Sequence, residues 1–150
     1  MNILLAMDES PYSSAAFEAV AERPWPPGAT VRVLSVVEPI VPIGEMWFKA
    51  GEYYEHALKK MKDRAASLTG QAAGSLQSRG LEAEASVREG EPRSEIINEA
   101  EAWPADLIVV GSHGYTGVKR WLLGSVAQSV VSHAPCSVEI VRSTSNRESN

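Results

Sequence analysis

The stretch Leu107-Ile108-Val109-Val110-Gly111-Ser112-His113-Gly114 decides the fold. Four apolar residues in a row, with no polar alternation, fit a strand buried on both faces, as in a parallel sheet covered by helices on both sides. Gly111 and Gly114 then mark a loop, and Leu123-Gly124-Ser125-Val126 opens a helix that runs to about His133. Pro135 stops that helix before a last strand at about 138–141. Upstream, an apolar run at 3–7 ends at Asp8, and Ser10 followed by Pro11 marks a helix start. The Ser side chain can accept a helix N–H, and Pro lacks one that would go unpaired. Ala15, Ala16, Ala19 and Val20 stripe that helix, and Pro24, Pro26, Pro27 and Gly28 end it. Residues 31–37 read as a second strand. Tyr54, Leu58, Met61, Ala65, Leu68 and Ala72 recur at steps of three and four, one face of the longest helix. Gly70 and Gly74 weaken its C-terminal part, and Gly80 ends it. Residues 82–89 read as a third strand, after which Gly90 and Pro92 open a short helix carrying Ile96, Ile97 and Ala100.

Strand–helix alternation of this kind, joined by right-handed crossovers, predicts an α/β domain: a three-layer sandwich built on a parallel sheet of about five strands, with helices on both faces. The domain is expected to occupy 1–143, with 144–150 a flexible polar tail. There is no internal repeat or low-complexity tract. Ligands of such sheets bind beyond the carboxyl ends of the strands, where strand order reverses. The segments that matter are therefore 8–10, 36–38, 89–92 and 111–125.

Composition bounds the function. The 150 residues are 44% hydrophobic and 22% charged, with 14 Lys plus Arg against 19 Asp plus Glu, a net charge of −5. That balance argues against broad binding to nucleic acid or an anionic membrane, though not against a local site for one anion. Cys136 has no partner for a disulfide, the N-terminal apolar run is shorter than a signal segment, and no stretch approaches a membrane helix. A cytoplasmic protein is expected.

The loop glycines carry the chemistry. Gly111 and Gly114 remove side chains where backbone must approach a ligand or take positive φ. Gly124 and Ser125 place free N–H groups and a hydroxyl at the positive end of a helix, an anion site. Two such elements about ten residues apart can hold both ends of a triphosphate. The competing reading is a tight loop between strand and helix and nothing more. No two glycines lie two positions apart and none precedes a lysine, so the dinucleotide fingerprint and the P-loop are both excluded. The pattern that stands is G-x2-G-x9-G-S, at Gly111, Gly114, Gly124 and Ser125.

With these residues the chain resembles the universal stress protein family, in its ATP-binding subgroup, over nearly its whole length. The resemblance rests on Asp8-x-Ser10 after the first strand, Val36-Val37-Glu38 after the second, the Gly111-Ser112-His113-Gly114 loop, the Gly124-Ser125 helix start and Ala134-Pro135-Cys136-Ser137-Val138 before the last strand. It implies strand order 3-2-1-4-5, homodimerisation along the last strand, and ATP, with Mg²⁺ where the nucleotide brings it, held without a Walker lysine. Carried over by position, Ala6, Asp8 and Val36 meet the nucleoside. Val110, Gly111, Ser112, His113, Gly114, Tyr115 and Thr116 line the ribose and phosphate path. Gly124, Ser125 and Val126 take the terminal phosphates. Asp8 is better suited to a base or hydroxyl donor than to phosphate, which it repels; capping the first helix is its alternative role. Ala6 departs from the residue that several ATP-binding members carry there, and Glu139 departs from an apolar dimer seam. Lys119 and Arg120 either screen phosphate or are solvated loop cations.

Other constellations are weaker. His133 and Cys136 are half a zinc motif without companions, and Cys136 reads as core or interface. His113, Ser125 and Asp8 lack the G-x-S-x-G turn of a hydrolase triad. Trp47, Phe48, Tyr53 and Tyr54 read as packed on the sheet or covering its edge, with a ligand or partner surface as the alternative, and 59–64, with charges of both signs, as a solvated helix face. Asp8-Glu9 faintly resembles the acidic pair of receiver domains, but no acceptor Asp ends the central strand. The expected function is thus an ATP-binding regulatory and stress-response module with no catalytic residue and at most weak hydrolysis. The alternative is a nucleotide-dependent enzyme on the same fold, a slow ATPase or nucleotidyl hydrolase, whose turnover the absence of a poised general base would limit. Nucleic acid and membrane are not expected partners.

Overall fold

A computed structural model describes residues 1–40, 44, 46–114 and 122–143, with the side chains of 46–50 outside that description. The expected residues Tyr115, Thr116, Lys119 and Arg120, the side chains of Trp47 and Phe48, and the tail at 144–150 lie outside the described residues. In chain order the elements are β1 (Asn2–Ala6), α1 (Pro11–Glu22), β2 (Thr30–Val37), α2 (Met46–Ser78), β3 (Glu82–Glu89), α3 (Pro92–Ala102), β4 (Leu107–Gly111), α4 (Ser125–His133) and β5 (Ser137–Val141). The sheet runs β3-β2-β1-β4-β5 with every neighbouring pair parallel, the order implied above.

Side-chain alternation divides the core into two layers. Ile3 and Leu5 of β1 join Val31 and Val33 of β2 and Leu107 and Val109 of β4 against Ala16 and Val20 of α1 and Ala72, Ala73 and Leu76 of α2. Leu4, Ala6, Leu34, Ile108 and Val110 face the other way, onto Ile96 and Ala100 of α3 and Ala127 and Val130 of α4. Consecutive residues of β1 and β4 thus serve opposite layers, which is why 107–110 carries no polar residue.

The helix starts follow local chemistry. Ser10 caps α1, its Oγ accepting from Ser13 N at 3.2 Å, with Pro11 in the first turn. Helix α2 spans 33 residues, about 50 Å, and runs through Gly51, Gly70 and Gly74, each of which leaves open space where a Cβ would stand. Gly costs about 1 kcal/mol in a helix, and burial of Ala65, Ala72, Ala73 and Leu76 outweighs it. The expected packing of aromatics at the start of this helix fails for Tyr53, which is 79% exposed and lies one position off the apolar stripe that begins at Tyr54.

One polar cluster is built into the α3 layer. Glu99, 2% exposed, takes Arg32 Nη1 at 2.9 Å and Arg88 Nε at 2.6 Å. Arg32 also binds Glu84 and lies 4.4 Å over the Trp103 ring. This ties α3 to β2 and to the edge strand β3. At the start of α3, the Glu91 carboxylate caps the helix, accepting from Ser94 N at 2.9 Å and from Arg93 Nε at 2.5 Å. The Arg93 hydrogen bond, ahead of the opposing cost of burial, holds the Glu91 carboxyl at about 2.

Glu99→Ala is expected to destabilise the protein by about 3 kcal/mol in urea unfolding, the low end for breaking a buried pair, because the two arginines reach solvent. Glu91→Gln is expected to lower Tm at pH 7. A depressed carboxyl contributes stability above its ordinary value of 4.5 that is lost as pH falls through its folded value. The difference between wild type and variant should therefore close as pH drops from 4.5 toward 2.

Candidate functional site

The register brings the tips of β1, β2 and β4 together. Ala6 pairs with Leu34 and Leu5 with Val109, and Met7 N donates to Leu34 O at 2.8 Å, so the chain leaves β1 at Asp8 beside the ends of both neighbours. Helices α1 and α2 lie on one face and α3 and α4 on the other, so the strand order reverses between β1 and β4. A cleft of about 320 Å³ opens there. Its walls are largely apolar, from Ala6, Leu34, Val36, Ile96, Val110 and Ala127, with Asp8, Glu38 and His113 as polar groups.

Asp8 is tied to the start of α1 without capping it. Its Oδ1 accepts from Ser10 N at 2.9 Å and Ser13 Oγ at 2.8 Å, while Ser13 Oγ in turn accepts from Asp8 N at 2.8 Å. The carboxylate thereby braces the first turn of α1, although Ser10 supplies the cap itself. Its Oδ2 lies next to Gly114: a Cβ there would stand 3.2 Å away. One oxygen is structural, and the other faces the cleft.

The loop glycines are explained differently from the expectation. None of Gly111, Gly114 and Gly124 has positive φ; Gly28, Gly44, Gly80 and Gly90 do. Close approach is the reason, and the neighbour is the protein itself. A Cβ on Gly111 would meet the Tyr12 backbone C and O at 2.7 Å, so α1 can lie against the end of β4 only without one. A Cβ on Gly124 would come 3.1 Å from His113 Cα. Gly124 N also donates to Ser112 O at 2.8 Å, which closes the loop and removes that N–H from any anion. The first-turn N–H groups of α4 at Ser125, Val126 and Ala127 have no intrahelical acceptor, and the N-cap residue Gly124 offers them no side chain. Val126 and Ala127 line the cleft, so the positive end of α4 opens onto it.

Of the residues expected from sequence, Ala6, Asp8, Val36, Val110, Gly111, His113, Gly114 and Val126 line the cleft together. Ser112 is buried, with its Oγ 3.0 Å from His113 Nδ1, and the His113 ring lies tilted against Tyr12, ring centroids 5.0 Å apart. Gly124 shapes the loop, and Ser125 is exposed at the helix start, outside the lining. Leu34, Met61, Pro92, Ile96 and Ala127 line the cleft as well. Sequence reading placed these in core faces or helix starts, and nothing in their identity separates a cleft wall from a core wall. The alternation of β2 could have found Leu34, which shares a face with Val36.

The family model described as the universal stress protein family matches residues 1–142. A universal stress protein of Thermus aquaticus is 34% identical over 142 residues, covering 93% of this chain and 97% of its own length. Universal stress protein YxiE of Bacillus subtilis is 30% identical, with the same coverages. Among solved structures, universal stress protein UspA from Lactobacillus plantarum superposes with a TM-score of 0.81 at 26% identity, covering 95% of this chain and 97% of its own. The fold is shared further with an Arabidopsis thaliana family member with AMP bound (TM-score 0.62, 18% identity, 98% and 94% covered) and with a universal stress protein from Archaeoglobus fulgidus in complex with dAMP (0.59, 21%, 94% and 97%).

Because Gly111 is required by Tyr12, Gly111→Ala is expected to cost about 1–3 kcal/mol, as overpacking does, with no ligand present. Thermal unfolding of the ligand-free protein checks this; an unchanged Tm would mean that the α1–β4 approach is not what demands the glycine.

Proposed function

Since the chain belongs to the universal stress protein family, we propose that the cleft between β1 and β4 binds an adenine nucleotide, ATP foremost, in a homodimeric cytoplasmic regulator of stress physiology. The observation that carries this is the N-terminus of α4, with glycine at its N-cap, opening onto an apolar slot. A flat base fits between Ala6, Val36, Ile96 and Val110, and the phosphates run toward the N–H groups of Ser125, Val126 and Ala127. Asp8 Oδ2 accepts from a base amine or a ribose hydroxyl and by its charge keeps phosphate at the α4 end. The two solved fold relatives with AMP and dAMP support the same ligand class. Mg²⁺ would come with the triphosphate, which offers it the hard oxygen ligands it prefers.

The chemistry on hand favours binding over turnover. Asp8 is committed through Oδ1 to Ser10 and Ser13, and among the described residues the other carboxylate lining the cleft is Glu38, which follows β2. Occupancy then acts by preferring one conformation or one partner-bound state. The dimer seam assigned to β5 is helped by Glu139, the residue that seemed out of place there. Its carboxylate is held by both terminal nitrogens of Arg23 at 2.6 Å within the same chain, and that hydrogen bonding lowers its pKa. A cytoplasmic setting agrees with Cys136, whose thiol burial pushes up, aided by the charge of Asp106.

Titration with a fluorescent ATP analogue, together with chromatography of nucleotide from gently purified protein, is expected to give micromolar affinity and a co-purified adenine nucleotide. Gly114→Leu, which fills the space beside Asp8 Oδ2, is expected to weaken binding at least tenfold while the protein stays folded. Millimolar or weaker affinity, no bound nucleotide, or full binding by the variant would overturn the reading.

A further inference from the structure

A second cleft lies on the opposite side of β2, under α2. It measures about 390 Å³ and meets the first only at Asp8, Val36, Glu38 and Met61. Its floor is Ser35 and Val37 of β2, and its wall is Ala65 and Leu68 of α2. None of these four belongs to the nucleotide cleft.

Ser35 is the anomaly. The α2-facing side of β2 reads Val31, Val33, Ser35, Val37, a polar residue in an apolar row. Ser35 is only 6% exposed. The other buried hydroxyls are all committed: Ser10 accepts from Ser13 N, Ser13 binds Asp8, Thr69 binds Ala65 O and Ser112 meets His113. Ser35 Oγ makes no hydrogen bond to the described protein. Yet no fully enclosed side-chain oxygen among the described residues lacks a partner, so its oxygen must be reached from the cleft it floors. A buried hydroxyl left for something outside the protein is a polar anchor in an apolar site.

The rim sets the charge of the ligand. Arg64 is spent on Glu9, Nη2 to Oε2 at 2.5 Å and Nε to Oε1 at 3.1 Å, so that pair is neutral. Asp8 is braced by Ser10 and Ser13 through Oδ1 and turns Oδ2 toward Gly114. Glu38 has no ion-pair partner within 4 Å among the described residues. Its charge is felt by Arg93, whose guanidinium is itself bound to Glu91. The mouth is therefore net acidic, the walls apolar and the floor a single hydroxyl. From this we propose that the cleft is an adjoining small-molecule site, sharing Glu38 at its mouth with the first cleft, for a cationic amphiphile, an arylalkylamine with a hydrogen-bonding group at the end remote from the ammonium. The ammonium meets Glu38, the apolar body lies against Ala65 and Leu68, and the far polar group bonds Ser35 Oγ.

Three compounds test this on the full-length protein without nucleotide: tyramine, phenethylamine, which lacks the phenol, and 3-(4-hydroxyphenyl)propionate, which reverses the charge. Amide chemical shifts should move at Ser35, Ala65 and Leu68. Tyramine should bind about fivefold more tightly than phenethylamine, the worth of one hydrogen bond, and the carboxylate more weakly than both. Ser35→Val, a near-isosteric change, should erase the preference for tyramine over phenethylamine. Glu38→Gln, a surface change that leaves the fold untouched, should reduce the preference for amine over carboxylate. No binding at millimolar concentration, equal binding of all three, preferences that survive both variants, or shifts confined to the β4–α4 side would each overturn the proposal. Because the shifts are read at residues of one cleft in the absence of nucleotide, the result is independent of whether the other binds ATP.

Discussion

Burial of β1 on both faces is the constraint from which the rest of the molecule follows. Ile3, Leu4 and Leu5 are fully buried although their side chains point in alternate directions, and each such side chain contributes about 1.5–3 kcal/mol only if a layer exists to receive it. A single layer of helices would leave half of β1 in water. The chain meets the demand by placing β2 and β3 on one side of β1 under α2, then returning across it through α3 to β4. That return is what reverses the strand order, and a reversal cannot be closed over by either helix layer at the strand tips. The cleft is a consequence of covering β1, and Asp8, the first polar residue after β1, stands at its edge.

The architecture was legible because the signals that built it are local. The alternation of apolar runs and helical stripes, Ser10-Pro11, and the unbroken apolar run of β4 each report one element, and each element formed. What stayed illegible depends on how elements meet. Nothing in the string assigns Glu99 to Arg32 and Arg88, which are 67 and 11 residues away, because a buried carboxylate looks like a solvated one until β2, β3 and α3 assemble. The sequence reads helix α2 as weakened at Gly70 and Gly74. In the fold its length is decided by burial of one face, which intrinsic propensity does not predict. Tyr53 reads as packing on identity alone, and its place one position off the apolar stripe leaves it exposed.

The cleft was legible for a reason that adds to the one the sequence offered. The glycine pattern reads as backbone cleared for a ligand, and the fold adds close approaches within the protein: Gly111 to Tyr12, Gly124 to His113 and Gly114 to Asp8. The two accounts converge because the three approaches meet at one point. Gly111 lets the first turn of α1 press on β4, which fixes Ser10 and Ser13, and these hold Asp8 with one oxygen turned to Gly114. Gly124 lets the start of α4 fold back onto Ser112, which points the first N–H groups of that helix at the same space. A larger residue at any of the three would displace a wall before it touched a ligand. A spacing of this kind is thus a record of how closely the protein's own parts must pack to leave a polar-ended slot, and its predictive value for a site comes through that packing.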